Sequence, residues 1–204
     1  EKFLPILGHV LGKACVLPKR KIKSIKEFVE SFGYDIKDVF IDGSERIIQR
    51  PKNAKQQRKL YSGKKKTHTK KNIICADENK RILIMSTTKS GRRHDKRLLD
   101  KMGLLHNIPK DCAVWGDTGF HGISDQYKNA QTPHKKKKGK QLTSEQKEEN
   151  KIISSFRVVV EHAIGGYKRF SSASGIYRNK KPKFDDKFHL LATGLWNFHL
   201  NHTK

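Results

Sequence analysis

The sequence predicts a mixed α/β domain with a central mixed sheet flanked by helices. Short apolar runs bounded by turn residues recur along the chain, segments with helical spacing separate them, and the order is strand, hairpin, helix, strand, helix, helix. At 204 residues the chain holds one domain, or one domain and a fragment of a second. Hydrophobic residues make up 34% and charged residues 32%, which is lean but enough to bury a core at this length.

Residues 1–34 read as helical and basic. Ser24 is a plausible N-cap, Ile25, Phe28, Val29 and Phe32 fall on one helix face, and Gly33 is a stop. We expect residues 1–36 to be a helical linker, or the tail of a preceding, missing domain, with residues 37–204 forming the main domain. Val39–Asp42 followed by Gly43 predicts a buried strand that ends at the acid. His68–Ala76 and Lys80–Thr88 predict a hairpin turning at Asp77-Glu-Asn-Lys80. Residues 94–103 predict a helix that stops at Gly103, opened by His94-Asp95 with the acid at the positive end of the helix dipole. Cys112–Asp117 predicts another short strand ending in an acid. The charge run at 134–143 has little to bury and predicts a mobile loop; its Lys135–Lys138 suit either a DNA-contacting loop or a nuclear-import tract. A long helix from about Ser144 to Phe170, capped by Thr143 or Ser144, and an apolar helix over 185–201 complete the chain.

Charge narrows the partners. Lys and Arg number 45 against 20 Asp and Glu, a net charge of +25, so the natural partner is a polyanion: nucleic acid or an anionic membrane surface. No apolar run approaches the roughly 18 residues that span a bilayer. Cys15, Cys75 and Cys112 are scattered and form no CxxC pair, which supports neither a disulfide framework nor a zinc finger. From Arg46 to Ala76 there are 11 Lys or Arg and no acid, with Tyr61 and His68 interleaved. This pattern reads as a track for phosphates, including Arg50, Lys64, Lys65 and Lys66; the alternative is a solvated face.

Against this basic background three acids stand out. Asp42 and Asp117 each end a predicted strand, and each is followed within two residues by a glycine that admits close approach to the backbone. Glu161 is flanked by apolar residues on the long helix, an expensive place for an acid unless it is paired or binds a metal. Each also has a plainer reading: a turn or cap for either Asp, and a one-turn ion pair with Arg157 for Glu161. Three converging carboxylates would suit magnesium, which takes oxygen ligands.

The segments Ile41–Arg46, Gln49–Pro51, Tyr61–Lys66 with His68, Gly91 with His94-Asp95, Gly116–Phe120 and Arg157–Lys168 resemble, in this order, the catalytic domain of DDE (Asp-Asp-Glu) transposases of insertion sequences. The group named for insertion sequence five matches best, with distant kinship to Harbinger transposases. The resemblance implies a ribonuclease H-like fold, with Asp42 on the first strand, Asp117 after the fourth and Glu161 on a late helix as the catalytic and metal-binding set. It implies Mg2+ (or Mn2+), two ions, and no organic cofactor. The partners implied are transposon ends and target DNA, with a homo-oligomer assembling on the DNA. Water would cleave at a transposon end, and the released 3′-hydroxyl would attack the target. Relatives carry a Tyr, Arg, Glu, Lys signature around the last acid; Arg157, Glu161 and Lys168 are in place, but Ser154 stands at the Tyr position. The resemblance adds Tyr61, His68, Arg157 and Lys168 to the expected DNA contacts. Action in the cytoplasm on the nucleoid is expected for a bacterial host, and in the nucleus for a eukaryotic one. The rivals are a non-catalytic or domesticated DNA-binding module of the same fold, and a general nuclease that needs no element ends.

Overall fold

A computed structural model of the chain describes residues 3–136 and 139–203, so Lys137 and Lys138 of the lysine run lie outside the described residues. Two helices, α1 (Phe3–Lys13) and α2 (Ile25–Phe32), precede the sheet. The Ser24 hydroxyl accepts the Glu27 N–H at the start of α2, and Gly33 ends it at a φ of 94°. These segments join the body of the protein: Ile22 and Phe28 sit in the same apolar cluster as Val39 and Ile41. Lys19 exchanges backbone hydrogen bonds with Leu83 and Met85.

The sheet is built on β1 (Asp38–Ile47) and β3 (Thr67–Asp77), antiparallel along nine residue pairs from Val39↔Asp77 to Ile47↔Thr69. Between them lie α3 (Ala54–Leu60) and the two-residue β2 (Tyr61–Ser62), which pairs with the start of β3. β4 (Ile82–Met85) and β5 (Lys89–Ser90) also pair antiparallel with β3. α4 (Asp95–Met102) then leads to β6 (Ala113–Gly116), which runs parallel to β1 on its other side and is followed by β7 (Ala130–Gln131), parallel to β6. The sheet is therefore mixed, as expected, with the order β2-β3-β1-β6-β7 and β4 and β5 beside β3.

One expectation changes. Asp42 does not end its strand: β1 runs on to Ile47. The parallel pairing with β6 stops at Ile41↔Gly116, whereas the pairing with β3 continues through Asp42↔Ile74 and beyond. Gly43 looks like a breaker in the sequence, yet β3 supplies the hydrogen bonds that carry the strand past it.

Strand pleating divides the core into two layers. Val39, Ile41, Ile73 and Cys75 pack on one side with Phe28, Leu98 and Leu99 of α2 and α4. Phe40, Ile74 and Ala76 pack on the other with the long helix α5 (Ser144–Lys168) and the closing helix α7 (Phe184–His202). A short α6 (Ser171–Ser174) lies between those two helices in sequence. α5 opens on a capping box: the Thr143 hydroxyl accepts the Gln146 N–H, and the Gln146 side chain accepts the Thr143 N–H. No helix among the described residues is long and apolar enough to cross a membrane.

Two details of packing yield predictions. α5 approaches α7 through Gly166, where an added Cβ would stand 2.4–2.5 Å from the indole of Trp196. Gly166→Ala should therefore destabilise the domain by about 1–3 kcal/mol, despite the better helix propensity of Ala, as read in urea unfolding. In the β3–β4 turn, one oxygen of the buried Asp77 carboxylate accepts N–H bonds from Asn79 and Arg81. Burial pushes the Asp77 pKa up to about 6, against these hydrogen bonds. The folded state then holds this proton more tightly than the unfolded state, so the Asp77 contribution to stability declines as pH rises from about 4 to 6. Asp77→Asn keeps an acceptor for both N–H groups and removes the charge. It should raise stability on the order of 1–2 kcal/mol at pH 7.5 and leave it unchanged at pH 3.5 in thermal melts.

Candidate active site

The pleat of β1 sets the site. Phe40, which packs in the α5 layer, is followed at two-residue intervals by Asp42, Ser44 and Arg46. Ser44 meets the Tyr167 hydroxyl of α5, and Arg46 donates to the Ser172 carbonyl of α6. Asp42 lies 3.8 Å from the Arg157 guanidinium of α5, and its other oxygen accepts the Gly43 N–H at 2.6 Å. The helix is seated by Phe156, whose ring stacks on Trp115 of β6 at 4.7 Å, and by Lys168, which donates to the Glu45 carbonyl at 3.3 Å.

Asp117 arrives from the neighbouring strand. It directly follows β6, at the point where β1 loses its parallel partner, and caps the short 3-10 turn Thr118–Phe120 by accepting the Gly119 N–H at 2.8 Å. Asp42 and Asp117 are close enough to repel each other. Burial, aided by Asp117, pushes the Asp42 pKa up to about 6, against the Gly43 N–H, Arg157 and Lys64. Two oxygen-bearing acids thus share one small region with cationic neighbours.

Glu161 stands differently. It lies one helical turn beyond Arg157 on α5, the helix that covers the Asp42 side of the sheet, but its side chain is exposed while Val160 and Ala163 are buried. The apolar neighbours in sequence fall on another face of the helix, so the predicted burial cost does not arise. The one-turn ion pair with Arg157 is not formed either, because Arg157 faces Asp42. Among the described residues, no group of three or more His, Cys, Asp or Glu is arranged to hold a metal ion.

A further acid escaped the sequence reading. Asp95, the first residue of α4, reaches the opposite layer of the sheet: an added Cβ on Gly43 would come within 2.6 Å of its carboxylate, and one on Gly119 within 3.2 Å. The two glycines make room for this side chain, where the sequence suggested room for phosphate or metal. Lys71 of β3 anchors it, with its ammonium 2.7 Å from Asp95, 3.2 Å from Glu45 and 3.1 Å from the Arg93 carbonyl. Burial alone would lower the Lys71 pKa, but hydrogen bonds and charge attraction from Asp95 and Glu45 prevail and raise it. Glu45 is held below its ordinary value, its burial outweighed by Thr69 and Lys71. The signal available was the His94-Asp95 pair of the resemblance, which was read only as a helix start.

The expected DNA contacts separate into groups. Arg50, Tyr61 and His68 line one cleft together with Arg58 and Arg92, and the Tyr61 and His68 rings meet edge to face at 5.6 Å. Lys64, Lys65 and Lys66 form the exposed turn between β2 and β3, within electrostatic reach of the site: Lys64 acts on Asp42, and Lys65 on Lys168. Of the 11 cations between Arg46 and Ala76, three are committed inside the protein and are not free for phosphate. Arg46 is buried over the Tyr177 ring, Lys70 pairs with Asp185 at 2.9 Å, and Lys71 holds Asp95 and Glu45.

Comparison with known proteins fits this geometry. Residues 41–197 match the model of a family described as DDE superfamily endonuclease. The chain is 37% identical over 162 residues to a probable transposase for insertion sequence element IS702 from Microchaete diplosiphon, covering 79% of the chain. The chain spans 57% of that relative's length. No solved structure matches the chain. With Asp42, Asp117 and Glu161 all inside the matched span, the chain belongs to the DDE superfamily endonucleases.

Proposed function

We propose that this domain is the catalytic part of a transposase, hydrolysing phosphodiesters at transposon ends and joining the freed 3′-hydroxyl to target DNA. The observation that carries the proposal is the meeting of Asp42 and Asp117 where the parallel pairing of β1 and β6 ends, in a protein of net charge +25. The ribonuclease H-like fold is part of the reading. Counting the longer strands in chain order, β1, β3 and β4 are antiparallel neighbours, and β6, the fourth, returns parallel to β1 with Asp117 just after it.

The acids suit a hard divalent cation, Mg2+ or Mn2+. Such ions use one or two carboxylates plus water and substrate phosphate, so Asp42 and Asp117 suffice to start a site whose remaining ligands come with the DNA. Glu161 would complete the set from α5, for one ion or two. The chemistry such ions supply is neutralisation of phosphodiester charge and activation of the attacking oxygen. Arg157 and Lys168 would position phosphate beside the acids. Lys168 suits a partner anion: burial, then the charge of Lys65, lowers its pKa, so a phosphate would relieve an unfavourable charge. The proposal extends to a homo-oligomer on DNA and to action in the cytoplasm of a bacterial host.

The acids are tested together. Asp42→Asn/Asp117→Asn should lose magnesium-dependent nicking of a plasmid carrying element ends by orders of magnitude while retaining DNA binding. Unchanged nicking, or unchanged magnesium affinity by titration calorimetry with DNA present, would refute the assignment.

Glu161 and Asp95 should part company. Glu161 is exposed, so Glu161→Gln should leave metal-free stability within about 0.5 kcal/mol of the parent protein in thermal melts while abolishing cleavage. Asp95→Asn weakens the ion pair on a buried Lys71 and should cost stability, on the order of 1–3 kcal/mol. If Glu161→Gln cleaves normally when folded, α5 does not supply the third acid.

A further inference from the structure

A second cationic surface is built by segments far apart in sequence, on the α4 side of the sheet. α3 and α4, with the loop before α4, enclose an open cleft of about 990 Å³. Lys55, Arg58 and Lys59 line it from α3, and Arg92, Arg97 and Lys101 from the loop and α4; all six are exposed. Among the described residues that line it, none is acidic and none carries an amide. The acids of α4 face elsewhere: Asp95 is held by Lys71, and Asp100 pairs with Lys96 at 3.0 Å. Two hydrogen bonds fix the cleft walls together, from Arg92 to the Arg58 carbonyl and from Ser90 to the Lys59 carbonyl.

We infer that this cleft is a sequence-independent seat for the phosphate backbone of a DNA duplex, and that it delivers the strand to the acids. With Arg93, seven like charges line this one cleft and repel each other, and a polyanion relieves that repulsion. Lys and Arg reach phosphates on any sequence, and no described residue lining this cleft is an Asn, Gln, Asp or Glu that would read adenine or cytosine. The seat adjoins the site through a single loop. The Lys71 ammonium that holds Asp95 also bonds the carbonyl of Arg93, and the Arg93 side chain lines the cleft. The cleft also shares Arg58 and Arg92 with the one lined by Arg50, Tyr61 and His68, so the two form one continuous surface. This inference rests on the reading of the chain as a DNA-cleaving domain; it adds where DNA that is not recognised by sequence would lie, as target DNA must.

The test is the triple variant Lys55→Gln/Arg97→Gln/Lys101→Gln, with circular dichroism and melting temperature as checks on folding. Its binding to two duplexes of unrelated sequence is measured by fluorescence anisotropy from 50 to 300 mM salt. If each cation meets one phosphate, the log–log salt slope should fall by about 2.7, that is 0.9 per contact, and equally on both duplexes. The charge-preserving variant Lys55→Arg/Arg97→Lys/Lys101→Arg should keep the parent slope. An unchanged slope in the glutamine variant would overturn the inference, as would a loss confined to one duplex. Asp42→Asn, assayed in parallel for plasmid nicking with magnesium, keeps the two readings apart. If it remains able to cleave, the catalytic assignment fails while the cleft result stands; if the slope is unchanged but Asp42→Asn is inactive, only the cleft fails.

Discussion

The pleat of β1 is the constraint on which the rest of this molecule depends. Successive side chains of a strand point to opposite faces, so one strand can serve two layers without a break. Phe40, Asp42, Ser44 and Arg46 serve the layer of α5, α6 and α7, and each polar member finds a partner there in Arg157, Tyr167 or Ser172. Val39, Ile41, Gly43 and Glu45 serve the layer of α2 and α4, ending at Asp95 and Lys71. Moving the register by one residue would exchange these sets. It would put Arg46 against the Lys71 ammonium and Asp42 among apolar side chains. The two polar networks therefore hold the strand in place as firmly as the apolar residues do.

Lys71 is the least replaceable charge in this arrangement. Its ammonium is buried and meets two carboxylates, so removing it would leave both acids unpaired out of water. The ion pair also draws the start of α4 to the sheet at Gly43 and Gly119, just beyond each of the two site aspartates. At Gly43 Asp95 occupies the volume a Cβ would take, at 2.6 Å; at Gly119 the nearest atom is the Asp117 carboxylate at 2.8 Å, with Asp95 at 3.2 Å. The backbone on which Asp42 and Asp117 ride is thus braced from the far side of the sheet.

Elements whose ends are set by local chemistry were legible in the sequence. Ser24, Thr143, Gly33 and Gly103 cap helices as their residue types imply, and the Asp77–Lys80 turn closes its hairpin with the aspartate's own carboxylate. What depends on pairing partners was less so. Nothing local to Gly43 says that β3 extends past it, so β1 reads five residues too short at that end. Charge counting misjudged the run after Arg46 for a related reason. Composition registers the sign of a charge but not the face it occupies, and on β3 the consecutive Lys70 and Lys71 meet acids from α7 and α4. Asp95 escaped because an acid at the first position of a helix already has a sufficient local explanation in the helix dipole.

The same distinction explains why the three acids of the family pattern sit in such different surroundings. Asp42 and Asp117 are fixed by strands, so their spacing follows from sheet geometry; burial first, and Asp117 as a lesser contribution, raise the Asp42 pKa. Glu161 is fixed by a helix laid across that sheet and is exposed to solvent. A carboxylate in water adds little repulsion to the two half-buried aspartates, whereas a third acid packed against them would add more. Placing one acid on the solvent side of α5, between Arg157 and Lys168 in sequence, keeps the metal-free domain stable. It also places that acid on the same helix as Arg157 and Lys168, the two cations proposed to position phosphate.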